Sequence, residues 1–338
     1  MSARILVSEV GPRDGLQSIS SIMPLAAKRA WIAAEAAAGV REIEVGSFVP
    51  AKLLPQLADT DSVVEFARTI PGLNVAVLVP NLRGAEAAVR AGAHKITIPL
   101  SVSESSNLRN VRRTHAQMLE EIRAIAALLA SLPAAGRPLL EGGLSTAFGC
   151  TIEGEVPAEK VVALAEALMQ AGCDEIGLAD TVGYANPSQV RSLVRRVQAA
   201  VGASSLTSLH LHNTRGLGLA NVLAGLEVGI TTFDSSLGGL GGCPYSPGAS
   251  GNIVTEDLVF MLEAMGLDTG IDLQRLMQVR AIVHDALPDE PLYGHTPDAG
   301  LPLGFSGATP VASAAPVASV APTASATPTA SLATSTPQ

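Results

Sequence analysis

The feature that most constrains the fold of this 338-residue sequence is a repeated alternation of short β-branched runs with Ala-rich helical stretches. Eight such runs occur, at 5–10, 41–45, 75–79, 95–100, 139–144, 175–179, 207–212 and 231–237. Amphipathic segments lie between them, at 24–38, 81–91, 114–132, 158–171, 187–200 and 216–228. Eight strands, each followed by a helix, predict an α/β protein with a (β/α)8 TIM barrel. An open doubly wound sheet suits six strands better, and no GxGxxG motif follows the first run.

The C-terminal part of the chain differs in composition from the barrel. We expect extra helices at about 253–290, and a single barrel domain that spans residues 1–300. The last charged residue is Asp298, after which Ala, Pro, Ser, Thr, Val and Gly dominate. Frequent prolines prevent a helix, and small side chains leave little surface to bury. Residues 305–338 are therefore predicted to form a low-complexity, disordered tail.

Charge and hydropathy exclude several classes of protein. The chain has 22 Lys and Arg against 31 Asp and Glu, a net charge of −9, which disfavours a nucleic-acid partner or an anionic membrane. No apolar run is long enough to span a bilayer, and the N-terminus lacks a signal-peptide pattern. Three widely spaced cysteines cannot form a disulfide scaffold. We therefore expect a cytoplasmic protein.

Polar residues gather where the predicted strands end. The first strand leads into Gly-Pro-Arg13-Asp14-Gly, the second carries Glu44, and the sixth ends at Asp180. The seventh carries His210 and His212. In a TIM barrel the active site lies at the C-terminal ends of the strands, so this concentration of acids and imidazoles predicts an enzyme.

His210 and His212 are the sharpest local signal in the sequence. A spacing of two on a strand places both imidazoles on one face. Two imidazoles with a carboxylate from another strand end on the same rim, such as Asp14 after the first strand, form a typical divalent-metal site. The alternative is a pair of partly buried structural histidines. The register of the barrel, which brings Asp14 to the same rim, favours the metal.

Cys243 lies in the glycine-dense stretch 238–252 that follows the eighth strand. A thiol in a loop over the barrel mouth can donate or accept a proton when its pKa is lowered. The residues alone leave open whether this cysteine is catalytic or incidental.

The chain resembles the 3-hydroxy-3-methylglutaryl-CoA lyase family of metal-dependent TIM-barrel lyases. The resemblance covers residues 5–290 and rests on five segments: EVGPRDGLQ (9–17), IEVGSFVP (43–50), LADTVG (178–183), HLHNTRGLGLAN (210–221) and GLGGCPYSPGASGNIVTEDLVFMLEAMG (239–266).

The resemblance implies a role for each matching residue. The divalent cation, Mg²⁺ or Mn²⁺, would be held by Asp14, His210, His212 and Asn252. Arg13 matches the arginine that stabilises the enolate, Cys243 matches the thiol used in proton transfer, and Glu44 and Asp180 match further active-site acids. The implied reaction is retro-Claisen cleavage of 3-hydroxy-3-methylglutaryl-CoA to acetyl-CoA and acetoacetate, as in leucine degradation. A homodimer is also implied.

The sequence departs from the family pattern after the second histidine, where Asn213-Thr214-Arg215 replaces Asp-Thr-Tyr. Arg215 is accordingly either a ligand for a substrate carboxylate or a surface arginine at a helix start. The acyl group stays open: citramalyl-CoA, cleaved to acetyl-CoA and pyruvate, is the nearest alternative substrate. A Claisen-type acyl synthase is less favoured, because the C-terminal loop matches the lyases. A non-catalytic CoA-binding protein would have lost the metal ligands, and all four are present.

Overall fold

The computed structural model describes residues 5–241, 251–305 and 307. Eight parallel strands form a closed barrel in sequence order, and β8 pairs with β1 to complete it. The strands are β1 (Leu6–Glu9), β2 (Glu42–Ser47), β3 (Asn74–Leu78), β4 (Lys95–Ser101), β5 (Leu139–Ser145), β6 (Glu175–Asp180), β7 (Leu206–Leu211) and β8 (Thr232–Ser235). The predicted TIM barrel is confirmed, and each strand lies within two residues of its predicted bounds.

Helices surround the barrel. They are α1 (Leu25–Ala38), α2 (Thr60–Ala67), α3 (Leu82–Ala91), α4 (Glu104–Val111), α5 (His115–Ala130), α6 (Ala158–Ala171), α7 (Pro187–Val201), α8 (Gly218–Leu226), α9 (Thr255–Ala264), α10 (Leu273–Ala286) and α11 (His295–Ala299). Helices α9 and α10 confirm the expected extra helices. The amphipathic pattern did not predict α2 and α4, which are only eight residues long.

Local sequence signals explain where several helices begin and end. Gly39, Gly92 and Gly172 follow α1, α3 and α6 in the left-handed conformation that glycine adopts without strain. Helices α5 and α7 begin with capping boxes at Thr114 and Asn186, whose side chains accept backbone N–H groups of the first turn. These caps define where α1, α3 and α6 end and where α5 and α7 begin.

The core consists of aliphatic side chains packed between the barrel and its helices, with Trp31 of α1 as its largest buried side chain. Within the described residues, no helix is both long and apolar enough to cross a membrane. Residues 242–250, which include Cys243, and residues 308–338 of the predicted tail lie outside the described part of the chain.

Candidate active site

A cavity of about 470 Å³ extends into the barrel from the C-terminal ends of the strands. Its wall includes Arg13, Asp14, His210, His212 and Asp234, which come from the ends of β1, β7 and β8. The structure thus brings together most of the polar residues that the sequence placed at the strand ends.

Arg13 and Asp14 lie in a single π-helical turn, Gly11–Gly15, directly after β1. The Val10 carbonyl accepts the backbone N–H of both residues, which winds the turn tightly. Gly11 is required here because a Cβ on it would lie 2.5 Å from Oε1 of Glu9, the oxygen that accepts the Gly11 N–H. The turn aims the two opposite charges of Arg13 and Asp14 into the cavity, where they form an ion pair with each other.

The two histidines stand side by side at the end of β7. Their Nε2 atoms are 3.1 Å apart, and Nδ1 of His210 lies 3.1 Å from Oδ2 of Asp234 on β8. Because a carboxylate only accepts hydrogen bonds, Nδ1 of His210 is the donor in the second contact. Burial lowers the pKa of His210, but Asp234 and Asp14 outweigh it and the net pKa is raised. Burial and the neighbouring His210 lower the pKa of His212 to about 3.

Asn252 reaches the same place from the segment after β8. This segment runs antiparallel to the end of β7, where His212 and Asn252 form an isolated bridge. Nδ2 of Asn252 donates to Oδ2 of Asp14 at 2.7 Å, while its Oδ1 is buried without a hydrogen-bond partner.

These residues fit a divalent cation. A carboxylate oxygen of Asp14 and a ring nitrogen from each histidine all lie within 4.8 Å of one another. The unpartnered Oδ1 of Asn252 adds a neutral oxygen beside them. Burial opposes ionisation of Asp14, but Arg13 and the two imidazoles hold its pKa well below its ordinary value. A carboxylate that stays charged, two imidazoles and an amide oxygen are suitable ligands for Mg²⁺ or Mn²⁺.

Glu44 lies behind Arg13. Its Oε2 accepts a hydrogen bond from Nε of Arg13 at 2.5 Å, and its Oε1 is buried with no partner. Burial, only partly offset by Arg13, raises the pKa of Glu44 to about 7. The guanidinium is thus fixed from two sides, by Glu44 and by Asp14, with Nη2 left without a partner among the described residues. The structure positions Glu44 to orient Arg13; the predicted role of Glu44 as a catalytic active-site acid stays a prediction.

Asp180 and Arg215 both bind the loop that follows β6. The Asp180 carboxylate accepts the backbone N–H groups of Tyr184 and Ala185 at 2.8 and 3.0 Å. Arg215 donates to two carbonyls of the same loop, at Val182 and Gly183, and stacks over the Tyr184 ring at 4.6 Å. These contacts shape the cavity wall, which includes Val182. The catalytic role of Asp180 and the substrate-binding role of Arg215 stay predictions.

The other two cysteines are buried. Sγ of Cys150 accepts the backbone N–H groups of Ile152 and Glu153, and Cys173 packs in the core. The predicted site residue Cys243 lies outside the described residues, so the structure adds nothing to its assignment.

Sequence reasoning missed two acidic residues of the cavity wall, Asp234 and Glu141. Asp234 was visible as the only charged residue in the run TTFDSSL, on the strand beside the two histidines. Glu141 had a weaker signal, since a charged residue near the start of a buried strand is also found in barrel floors.

Comparisons with known proteins identify the family of this chain. A family model described as HMGL-like matches residues 4–283. The mitochondrial hydroxymethylglutaryl-CoA lyase of Gallus gallus is 39% identical over 286 residues, covering 84% of this chain and 94% of the relative. The hydroxymethylglutaryl-CoA lyase YngG of Bacillus subtilis is also 39% identical, over 84% of this chain and 93% of its own length.

A solved structure shares the same barrel. The structure of an HMG-CoA lyase from Acinetobacter baumannii, in complex with coenzyme A and 3-methylmalate, is 41% identical with a TM-score of 0.82. The match covers 89% of this chain and 97% of the Acinetobacter chain.

Proposed function

This chain belongs to the HMGL-like family, and on that premise we propose that it cleaves 3-hydroxy-3-methylglutaryl-CoA to acetyl-CoA and acetoacetate, with the help of a divalent cation. The observation that carries the proposal is the convergence of Asp14, His210 and His212 beside the fixed guanidinium of Arg13, in one cavity. The relatives named above support the substrate, because the chain matches almost their full length.

We assign the cation, Mg²⁺ or Mn²⁺, to Asp14, His210, His212 and Asn252. When bound, it would supply positive charge that lowers the pKa of a substrate alcohol. Asp234 holds His210 through Nδ1, which leaves the Nε2 lone pair directed at the cation site.

Arg13 faces the charge that develops during cleavage. A base removes the alcohol proton, and fission of the C–C bond releases acetoacetate and leaves the bonding electron pair in the enolate of acetyl-CoA. Nη2 of Arg13, which binds none of the described residues, can donate to the enolate oxygen, and Glu44 and Asp14 keep the guanidinium from turning away. The enolate carbon then takes a proton, which we assign to the thiol of Cys243.

The CoA part of the substrate would lie at the mouth of the cavity. Helix α4 supplies Ser106, Arg109 and Asn110 to the cavity wall, and the last two are a cation and an amide donor. Both can bind phosphate oxygens. The CoA complex of the Acinetobacter relative supports an acyl-CoA as the substrate class.

We also propose that the protein works in the cytoplasm, in leucine degradation, and as a homodimer. A bacterial relative is consistent with the first. Neither a nucleic acid nor a membrane is proposed as a partner, since the net charge is −9.

A product assay tests the function. The purified protein is incubated with Mg²⁺ or Mn²⁺ and either hydroxymethylglutaryl-CoA or citramalyl-CoA. Acetoacetate from the first substrate supports the proposal, whereas pyruvate from the second without acetoacetate assigns the alternative acyl group. A separate incubation with acetyl-CoA and a 2-oxo acid reports any synthase activity, because condensation releases free CoA thiol. A rapid release would overturn the lyase assignment.

A further inference from the structure

The cavity continues below the cation site into the interior of the barrel. The lower wall comes from inward-facing positions of four neighbouring strands: Thr97 and Pro99 of β4, Glu141 and Gly143 of β5, Gly177 of β6 and Ser208 of β7. We call this space the inner chamber. TIM-barrel interiors are usually filled by layers of bulky branched side chains. Here Gly143 and Gly177 have no side chain, and Thr97 and Ser208 have short ones, so the inner chamber stays open.

The two glycines act differently. A Cβ on Gly143 would make only ordinary contact, 3.4 Å from Cγ2 of Thr97, so the fold does not demand a glycine there. A Cβ on Gly177 would lie 2.6 Å from Oγ of Ser208 and 2.9 Å from Oε1 of Glu141. Gly177 therefore makes room for the Ser208–Glu141 hydrogen bond, while Gly143 simply leaves the chamber wide.

The floor of the inner chamber is formed by the Glu141 carboxylate, whose oxygens already have hydrogen-bond partners in the protein. Glu141 accepts hydrogen bonds from Ser208 at 2.7 Å and from Thr97 at 3.0 Å. Lys95 lies 3.2 Å from Oε2 of Glu141 and also pairs with Glu42 and Glu175, so three carboxylates surround one ammonium. Burial opposes ionisation of Glu141, but Lys95 and the two hydroxyls lower its pKa, and the residue stays charged.

We propose that the inner chamber is the specificity pocket for the substituent on the alcohol carbon, and that it takes an uncharged group larger than methyl. The proposal rests on the lyase function proposed above. It assigns specificity to Gly143, which sets the width of the chamber, and to Glu141, which sets its charge.

Strand geometry places the chamber correctly for this role. Ser208 precedes His210 by two residues on the same face of β7, which puts it about 6.6 Å deeper in the barrel. A substrate alcohol held beside His210 can therefore direct one substituent down the barrel axis. That depth accommodates about three or four carbons, whereas a methyl group would leave most of it unfilled.

The charge of the chamber selects against acids. Both hydroxyls already donate to Glu141, so they offer only lone pairs to a ligand. A carboxylate on the substituent would meet the fixed negative charge of Glu141, and the described hydroxyls of the chamber wall, Thr97 and Ser208, would offer it no free donor. An alkyl substituent, with or without a terminal hydroxyl donor, carries no negative charge and is not repelled by Glu141.

The test compares three substrates that differ only in the group replacing the methyl of hydroxymethylglutaryl-CoA: methyl, propyl and carboxyethyl. We expect kcat/KM for the propyl substrate to be within about tenfold of the methyl one or above it, and the carboxyethyl substrate to be at least about a hundredfold poorer. Binding of 3-methyl- and 3-propylglutaryl-CoA, which lack the alcohol and cannot be cleaved, is measured by calorimetry as a second readout.

Two variants test the residues. Gly143→Val narrows the chamber, so the propyl-to-methyl ratio of kcat/KM should fall at least about tenfold. Glu141→Gln removes the negative charge while Lys95 keeps Glu42 and Glu175, so discrimination against carboxyethyl should weaken at least about tenfold. Ala200→Val, on the exposed face of α7, adds side-chain volume far from the cavity and should change neither ratio. Thermal melting confirms that each variant is folded.

The outcomes separate this inference from the proposed function. If the methyl substrate is cleaved but the propyl substrate is cleaved at least about a hundredfold more slowly and its uncleavable analogue does not bind, the inner chamber is not a specificity pocket and the lyase function stands. If no substrate is cleaved, the proposed function fails. In that case, tight binding of the propyl analogue that Gly143→Val weakens still supports the specificity pocket. If the propyl analogue does not bind tightly, the specificity pocket is overturned as well.

Discussion

Nδ1 of His210 lies 3.1 Å from Oδ2 of Asp234, so a carboxylate on β8 holds one of the candidate cation ligands on β7. We predict that Asp234→Ala lowers the affinity for Mn²⁺ by about 10- to 100-fold, because the imidazole loses the partner that orients it and raises its basicity. Asp234→Asn keeps an acceptor oxygen and should lie between this variant and the wild type. Calorimetric titration with Mn²⁺ measures the effect. Asp289→Asn, an exposed change away from the site, is the control, and equal affinities in all four proteins would remove Asp234 from the site.

His212→Ala removes a predicted cation ligand without disturbing the barrel. We predict that activity falls by at least about a hundredfold, a barrier increase of roughly 2.7 kcal/mol or more. Thermal stability in metal-free buffer should be nearly unchanged, because the side chain lines the cavity, its Nδ1 has no partner among the described residues, and its Nε2 contacts only the neighbouring His210. His284→Ala, an exposed histidine on α10, serves as the control. A His212→Ala protein that stays active and binds Mn²⁺ normally would show that His212 is structural.

Much of this architecture could be predicted from the sequence, because strand and helix periods are local properties. The short runs between the amphipathic segments located all eight strands, and the spacing of His210 and His212 fixed their common face. The Asp234–His210 contact was not predicted, because it depends on the register between β7 and β8, where His210 pairs with Asp234. The inner chamber was missed for a similar reason: Gly143 and Gly177 become neighbours only through the register of β5 and β6.

Arg13→Lys tests the guanidinium. A lysine keeps the charge but cannot contact Glu44, Asp14 and a substrate oxygen with three nitrogens in one plane. We predict that kcat falls by about 10²- to 10³-fold while KM changes much less, since the lost interaction belongs to the transition state. Steady-state kinetics measure both parameters. Arg109→Lys, at the cavity mouth, is the matched control and should act mainly on KM; an Arg13→Lys variant that changes KM alone would contradict the assignment.

Glu9 makes stability depend on pH. It is fully buried, and its carboxylate accepts hydrogen bonds from Gly11, Leu237 and Thr255. Burial raises its pKa from 4.5 to about 8, so between these values the folded state keeps a proton that the unfolded state has lost. The stabilisation is complete below pH 4.5 and is lost as pH rises through about 8.

One such proton corresponds to a slope of up to about 1.4 kcal/mol per pH unit in the free energy of unfolding. Urea unfolding at pH values from about 5 to about 9 measures this slope, because this range spans the titration of Glu9 in the folded protein. Glu9→Gln cannot titrate, and we predict that it flattens the fall in stability with rising pH. Glu290→Gln, away from this buried group, should leave the slope as it is. A wild-type protein that gains stability across this range would contradict the raised pKa.

The boundary of the predicted tail can be tested by truncation. Phe305 packs against Phe260 of α9 with their ring centroids 5.2 Å apart, so this residue belongs to the folded domain. We predict that a chain ending at residue 307 keeps the wild-type Tm. A chain ending at residue 304 should lose about 0.5–1.5 kcal/mol, the usual contribution of an aromatic pair. Differential scanning calorimetry distinguishes the two truncated chains. If the chain that ends at residue 307 melts below the wild-type Tm, residues 308–338 contribute to stability.

The pairing of β8 with β1 has a consequence for the order in which the protein is made. Asp14 and Asn252 touch across this closing seam, yet they are 238 residues apart in the chain. A ribosome that adds about 5–20 residues per second exposes Asp14 on the order of ten to fifty seconds before Asn252 is synthesised. Neither histidine has been synthesised during most of that interval, and the amide of Asn252 is absent until it ends. The cation site is therefore completed only after Asn252 has been synthesised and β8 has paired with β1.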